Sequence, residues 1–277
     1  MTCAKIEFYD TNFWIGENNL SEKLTVPEYS AEDIFAERLA KFNISGHLIA
    51  HYSSLFCSPE DGNDLMGAFL GKHNSKNSVK TKIVRGMLFM EMEYFKNPDL
   101  FAVELRKRYA QGFRCIKLVP KSHKYPFDAA LMKNIYRVLN DCRFPVMISL
   151  DELDITGNKY IEWAKILEVA NTFENMPLII DGGNSKELMF SSYIFLLLQN
   201  SSNVYFNTHN LFSVNQIENI AGFGGPDRLV FDSYFPYCET FLSVERIIES
   251  DLYDEQKRKI AGLNIKRIFD GINLREE

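Results

Sequence analysis

Short runs of β-branched and apolar residues recur along this chain. Between them lie segments whose apolar positions repeat every three or four residues. The runs are Lys5–Tyr9, Gly46–Ala50, Lys82–Phe89, Arg114–Val119, Val146–Leu150, Leu178–Ile180, Val204–Phe206 and Leu229–Phe231. Their spacing, roughly 25 to 40 residues, is that of a βα unit. Alternating strands and helices imply a parallel sheet covered by helices. Eight such units predict closure into a (β/α)8 TIM barrel. An open doubly wound sheet would bring fewer strands and a glycine-rich phosphate turn. Neither GxGxxG nor GxxxxGK[ST] occurs.

The predicted helices carry end signals. Ser30 and Asp33 stand at capping-box spacing before Ile34, Phe35 and Leu39. Asn97-Pro98 opens a helix that Gly112 closes. Asp128 is placed to cap a helix with the stripe Leu131, Ile135 and Leu139, and Asn264 to cap the last one. No Pro/Gly/Ser-rich linker interrupts residues 1–277, so a single domain is expected. Two stretches are longer than simple connections, Glu17–Tyr29 and Ser53–Lys80. Both follow strands, which makes them lid candidates or ordinary surface excursions.

Composition narrows the function classes. The net charge of −6 argues against nucleic-acid binding through bulk electrostatics. No run of about 18 apolar residues is present, so no membrane span is expected. The opening residues lack a basic segment followed by an apolar stretch, so no secretory signal is expected either. The five cysteines are widely spaced and contain no CxxC pair, which suits a reducing, cytoplasmic setting. The run Ile194–Leu198 is apolar almost all round a helix, as either a homo-oligomer contact or core packing requires.

Ligand chemistry in such a barrel belongs at the C-terminal ends of the strands. Alternation places Asp10, Asn12 and Trp14 on one side after the first run. His51, Lys117, Ser149, Asp181, Asn207, His209, Asp232 and Tyr234 follow on or after the others. Asp181 is the expected general acid or base, with Asp232 and His51 assisting; its bland alternative is a salt bridge to Lys117. Asn12, Trp14, Lys117, Ser149, His209 and Tyr234 are the expected ligand-positioning residues. For Trp14 and Tyr234 the alternative is that they fill space; for His209, that it lies on the surface. Asp10 and Asp232 are expected to be neighbours. They share a proton as a coupled pair, hold a weak divalent cation, or fix barrel closure by hydrogen bonds.

Several segments resemble the amidohydrolase superfamily, in its decarboxylase-like, amidohydrolase-related branch. They are Gly112–Pro120, Phe144–Ser149, Pro177–Gly183, Gly225–Pro236 and the tail around Lys259–Asn264. The resemblance implies a barrel of the metal-dependent-hydrolase type, with hydrolysis or decarboxylation of a small polar metabolite. The metal positions of that branch are changed. Its first-strand Asp-x-His-x-His reads Asp10-Thr11-Asn12-Phe13-Trp14, and its fifth-strand His is Ser149. Its sixth-strand His is Asp181, and its eighth-strand Asp is Tyr234. Tryptophan cannot ligate zinc, and neutral Asn and Ser ligate it poorly. No cofactor is therefore expected. The two readings are an enzyme without the usual catalytic metal and a non-catalytic relative that binds a ligand or a partner subunit.

Overall fold

The computed structural model describes residues 6–75, 83–153, 161–182, 188 and 192–274. Cys3, Lys5, Lys82, Gly183 and the end of the second lid candidate lie outside them. Eight strands form one parallel sheet in the order of the chain. They are β1 (Phe8–Ile15), β2 (Ile44–His51), β3 (Ile83–Phe89), β4 (Phe113–Leu118), β5 (Val146–Ser149), β6 (Leu178–Asp181), β7 (Val204–Asn207) and β8 (Leu229–Val230). Helices follow the strands and cover the outside. The protein is a (β/α)8 TIM barrel. Among the described residues no helix is long and apolar enough to cross a membrane.

The strands are buried on both faces, which is why they read as near-continuous apolar runs. Tyr9, Leu48, Met87, Cys115, Met147, Ile179 and Val230 pack together inside the barrel. Phe8, Ile49, Leu88, Ile116, Ile148, Ile180 and Phe206 pack outward against the helices. Tyr9 occupies the space that a side chain at residue 46 would need. A Cβ on Gly46 would stand 2.2 Å from the Tyr9 ring. Gly46→Ala is therefore expected to cost about 1–3 kcal/mol of stability through overpacking, read as a lowered melting temperature.

β1 is longer than its apolar run. Asp10, Thr11 and Asn12 belong to the strand because Arg38 takes up the Asp10 carboxylate, Phe231 O the Thr11 hydroxyl and the Trp14 indole N–H the Asn12 Oδ1. The pairing with β2 goes from Asp10↔His47 to Phe13↔Ile49, so three steps on β1 oppose two on β2. This one-residue irregularity is a bulge, and it switches the faces. Tyr9 points inward before it and Trp14 after it, while Asp10 and Phe13 point outward. Asp10 thus does not share a face with Asn12 and Trp14, as strict alternation had predicted.

The outward Asp10 fixes the seam between β8 and β1. Its Oδ2 accepts from Arg38 Nη2 at 2.6 Å and from Ser233 Oγ, and its Oδ1 from the Ser233 amide at 2.9 Å. The Thr11 amide donates to Phe231 O and the Trp14 amide to Phe235 O. The Arg38 guanidinium lies 5.1 Å from the Phe13 ring centre and 5.3 Å from that of Phe235.

Helix ends differ in instructive ways. Pro98–Gln111 is bounded as expected: the Asn97 side chain accepts from the Leu100 amide and Gly112 takes φ 111°. Glu28–Phe42 starts before Ser30, whose hydroxyl donates back to Pro27 O instead of capping. Leu131 is exposed and precedes its helix, Lys133–Asp141, whose buried face is Ile135, Tyr136 and Leu139. Asn264 caps nothing, because a π turn, Lys259–Leu263, runs straight into Asn264–Asp270. Its amide instead donates to Pro226 O and Leu229 O and so holds β8. In Tyr193–Asn200, Ile194, Leu197 and Leu198 enter the core while Tyr193 and Leu196 are half exposed.

His47 lies on the outward face of β2, stacked on Phe35 at 4.2 Å. Both its nitrogens are buried and lack a partner among the described residues. Burial, then the charges of Arg38 and His73, depress its pKa well below the usual histidine value. The unfolded chain, with a histidine near 6.5, binds this proton more readily. The contribution of neutral His47 is therefore full above about pH 6.5 and is lost as pH falls through the window below it. His47→Phe is expected to flatten the fall in urea midpoint between pH 7.5 and 5.5. An unchanged slope would assign that pH dependence elsewhere.

Candidate functional site

Four charged or ionisable side chains meet at the C-terminal ends of β4, β6, β7 and β8, all at most 1% exposed. Lys117 on β4 points inward and donates to Asp181 Oδ2 at the end of β6. Ser149 on β5 donates to the same oxygen at 3.1 Å. Register brings these together, since Ser149 pairs with Asp181 and Lys117 with Met147. The Lys117 ammonium also lies 3.3 Å from Met147 Sδ and 5.7 Å from the Trp14 ring centre.

His209 follows β7 and is held by Asp232, which follows β8. Its Nδ1 donates to Asp232 Oδ2. Asp232 Oδ1 accepts from the amides of Thr208 and His209 at 2.8 and 2.9 Å, and Asn207 Nδ2 donates to Oδ2 at 3.2 Å. Arg246 clamps this turn from outside, donating to the carbonyls of Thr208 and His209. With Nδ1–H given to Asp232, the neutral imidazole carries its lone pair on Nε2. That atom is 3.8 Å from Asp181 Oδ1. With His209 as its cation, Lys117, Asp181, His209 and Asp232 sum to zero charge; with the neutral ring they sum to −1.

Aromatic side chains close the mouth. Tyr234 stacks on His209 with ring centres 4.3 Å apart and 9° between planes. Tyr237 packs against Tyr234 and Tyr52, and Tyr52 stacks on Trp14 at 5.2 Å. Trp14 donates its indole N–H to Asn12 Oδ1 at 3.1 Å. Tyr234 adopts φ 52°, a left-handed conformation uncommon for a bulky residue and frequent at functional sites. Burial, then the charges of Asp151 and Asp181, push its phenol well above the usual tyrosine range, so it stays a neutral donor. The Tyr234 hydroxyl and Asn12 Nδ2 are buried N–H or O–H groups without a partner among the described residues. Such groups cost free energy unless something accepts from them.

The structure therefore gathers Asn12, Trp14, Lys117, Ser149, Asp181, His209, Asp232 and Tyr234 at one end of the barrel. His209 is fully buried, not on the surface. His51 is not among them. Inward positions on β2 are Leu48 and Ala50, so His51 points outward. There its Nε2 meets Glu28 Oε1 at 2.7 Å and its Nδ1 accepts from the Ser53 amide. It packs on Gly16, where a Cβ would stand 2.8 Å from the ring. Asp10 is likewise outside, on Arg38, so it is not the neighbour of Asp232 around a shared cation. Asp232 instead forms an Asp181–His209–Asp232 group whose ligand atoms lie within 4.8 Å of one another, a spacing that can hold a metal ion.

Sequence reasoning missed Met147, although it stands two residues before Ser149 and shares its face. It also missed Tyr52, which opens the short helix Tyr52–Phe56, and Tyr237, which follows β8, where no periodicity points to them. Cys115 lies in the barrel interior, where burial pushes its thiol up to about 12.

No family model matches the chain, and no curated protein does. Solved structures do. A candidate amidohydrolase from Staphylococcus aureus superposes at TM-score 0.68 and 14% identity, covering 96% of this chain and 100% of that one. An uncharacterized TIM-barrel protein from Bordetella bronchiseptica gives TM-score 0.70 at 15% identity, covering 96% and 99%. A dihydroxybenzoic acid decarboxylase from Polaromonas sp. JS666, with bound manganese and the inhibitor 2-nitroresorcinol, gives 0.70 at 12%, covering 96% and 97%. The fold is that of amidohydrolase- and decarboxylase-type barrels. At these identities the likeness establishes the fold, and it agrees with the resemblance carried by the strand motifs.

Proposed function

We propose that this barrel is a hydrolase or decarboxylase of a small polar metabolite, specifically a carboxylic acid, and that it works without a tightly held divalent metal. The observation that carries the reading is the buried line Asp232–His209–Asp181–Lys117 at the strand ends. Asp232 orients His209, as the carboxylate of an Asp–His pair does. His209 and Asp181 move the proton. Lys117, Asn12 and Tyr234 hold the oxygens of the ligand. In a decarboxylation the carbon–carbon bond breaks and carbon dioxide leaves. The electron pair left on carbon then takes a proton from the His209–Asp181 pair. In a hydrolysis neutral His209 takes a proton from water as it attacks the carbonyl carbon, and returns it to the leaving group.

The donor set does not fit a tightly held ion. Both Asp232 oxygens already accept from protein N–H groups, and Asp181 Oδ2 already holds Lys117 and Ser149. Manganese and its hard relatives favour octahedral oxygen coordination.

The test is a turnover screen of chelator-treated protein against small carboxylic acids, hydroxybenzoates included, with His209→Gln and Asp181→Asn beside it. Each substitution is expected to lower the rate by about 10²–10⁴-fold. The closed aromatic mouth of Trp14, Tyr52, Tyr234 and Tyr237 favours a second reading, a non-catalytic relative that binds a ligand or partner. Absence of turnover from the whole panel, with no ligand raising the melting temperature, would select that reading.

A further inference from the structure

We infer that Lys117 is a tethered cation that takes the charge role of a metal ion in this site and keeps divalent ions out of it. The Asp181–His209–Asp232 group has the ligand spacing of a metal centre. One of its carboxylates is already paired with a positive charge, because the Lys117 ammonium donates to Asp181 Oδ2. The ammonium is completely buried, cradled by Asp181, the Met147 thioether and the face of Trp14. It does not reach solvent by snorkelling, since it projects inward near the C-terminal end of β4, beneath Trp14 and Met147, and is fully buried. A divalent ion entering the group would meet a fixed unit charge bonded to one of its own ligands. Like charges in a water-poor interior repel strongly. Conversely, removal of the ammonium leaves Asp181 buried without its cation, and that is the condition under which such a group takes up a metal. This rests on the chemistry of the cluster and does not require that the protein turn anything over.

The experiment titrates manganese into chelator-treated wild-type protein and into Lys117→Met, a substitution of similar length without the charge. Bound ion is read from the loss of the free-manganese resonance signal. Lys117→Met is expected to bind one ion per chain at least about tenfold more tightly than wild type, a difference of about 1.4 kcal/mol. Adding Asp181→Asn to that variant is expected to remove the gain. Lys117→Arg keeps the cation and is expected to stay as metal-poor as wild type. If Lys117→Met does not fold alone, manganese must restore its folding, because a ligand of the native state stabilises it by mass action. The inference is overturned if wild type holds stoichiometric manganese, or if folded Lys117→Met gains no affinity. It is equally overturned if an unfolded Lys117→Met is not rescued. A failed substrate screen with a positive manganese result would sink the proposed activity and leave this inference standing.

Discussion

Lys117→Met, in metal-free buffer, is expected to destabilise the barrel by about 3–5 kcal/mol, because removing one partner of a buried pair strands the other charge. For a chain of 277 residues, at about 2.1 cal/mol/K of unfolding entropy per residue, that corresponds to a drop of about 5–9 °C in melting temperature. Asp181 is the partner that loses its ammonium, while the Ser149 hydroxyl stays bonded to it and His209 Nε2 stays 3.8 Å from its Oδ1. The double substitution Lys117→Met, Asp181→Asn removes both charges. It is expected to recover at least half of the loss, so the cycle should show a coupling of the sign and size that contacting charges give. Additive losses would mean that the two side chains are bystanders to one another.

The second large effect belongs to the seam. Arg38→Leu leaves Asp10 buried between β1 and the turn after β8, with Ser233 and the Asn12 amide as its remaining donors among the described residues. The expected cost is again about 3–5 kcal/mol. The location of the damage distinguishes it from the Lys117 variant. Hydrogen exchange should accelerate at the Thr11 and Trp14 amides, which bond across the seam to Phe231 and Phe235. Amides on β4 to β6 should be affected only through global unfolding. Protection at Thr11 and Trp14 equal to that of wild type would deny Arg38 its role in closure.

Much of the architecture was legible because the physics is local and repetitive. Eight apolar runs at βα spacing have few solutions, and strands buried on both faces declare themselves by their lack of polar residues. The first strand was cut short because Asp10, Thr11 and Asn12 look like a loop. They are strand residues because Arg38, Phe231 and Trp14 bond the Asp10 carboxylate, the Thr11 hydroxyl and Asn12 Oδ1. The bulge in β1 was invisible for the same reason, since the register of β1 against β2 decides it. At the site, simple alternation located Lys117, Ser149, Asp181, His209 and Asp232. It could not rank them. His51 ends β2 and His209 follows β7, and only the parity of β2 and the turn held by Asp232 send one outward and the other inward. The aromatic closure came from Tyr52 and Tyr237, whose positions depend on three connections at once.

The mouth of the barrel also contains its own optical reporter. The chain has two tryptophans. Trp163 stacks on Tyr193 at the periphery, 5.2 Å between ring centres, whereas Trp14 lies between Tyr52 and the Lys117 ammonium. A fixed positive charge beside an indole shifts its emission, so any ligand that draws Lys117 away from Trp14, or parts Trp14 from Tyr52, should change the colour of the light this protein emits. In a Trp163→Phe background that signal comes from Trp14 alone, and it would count occupancy of the site before any product is known.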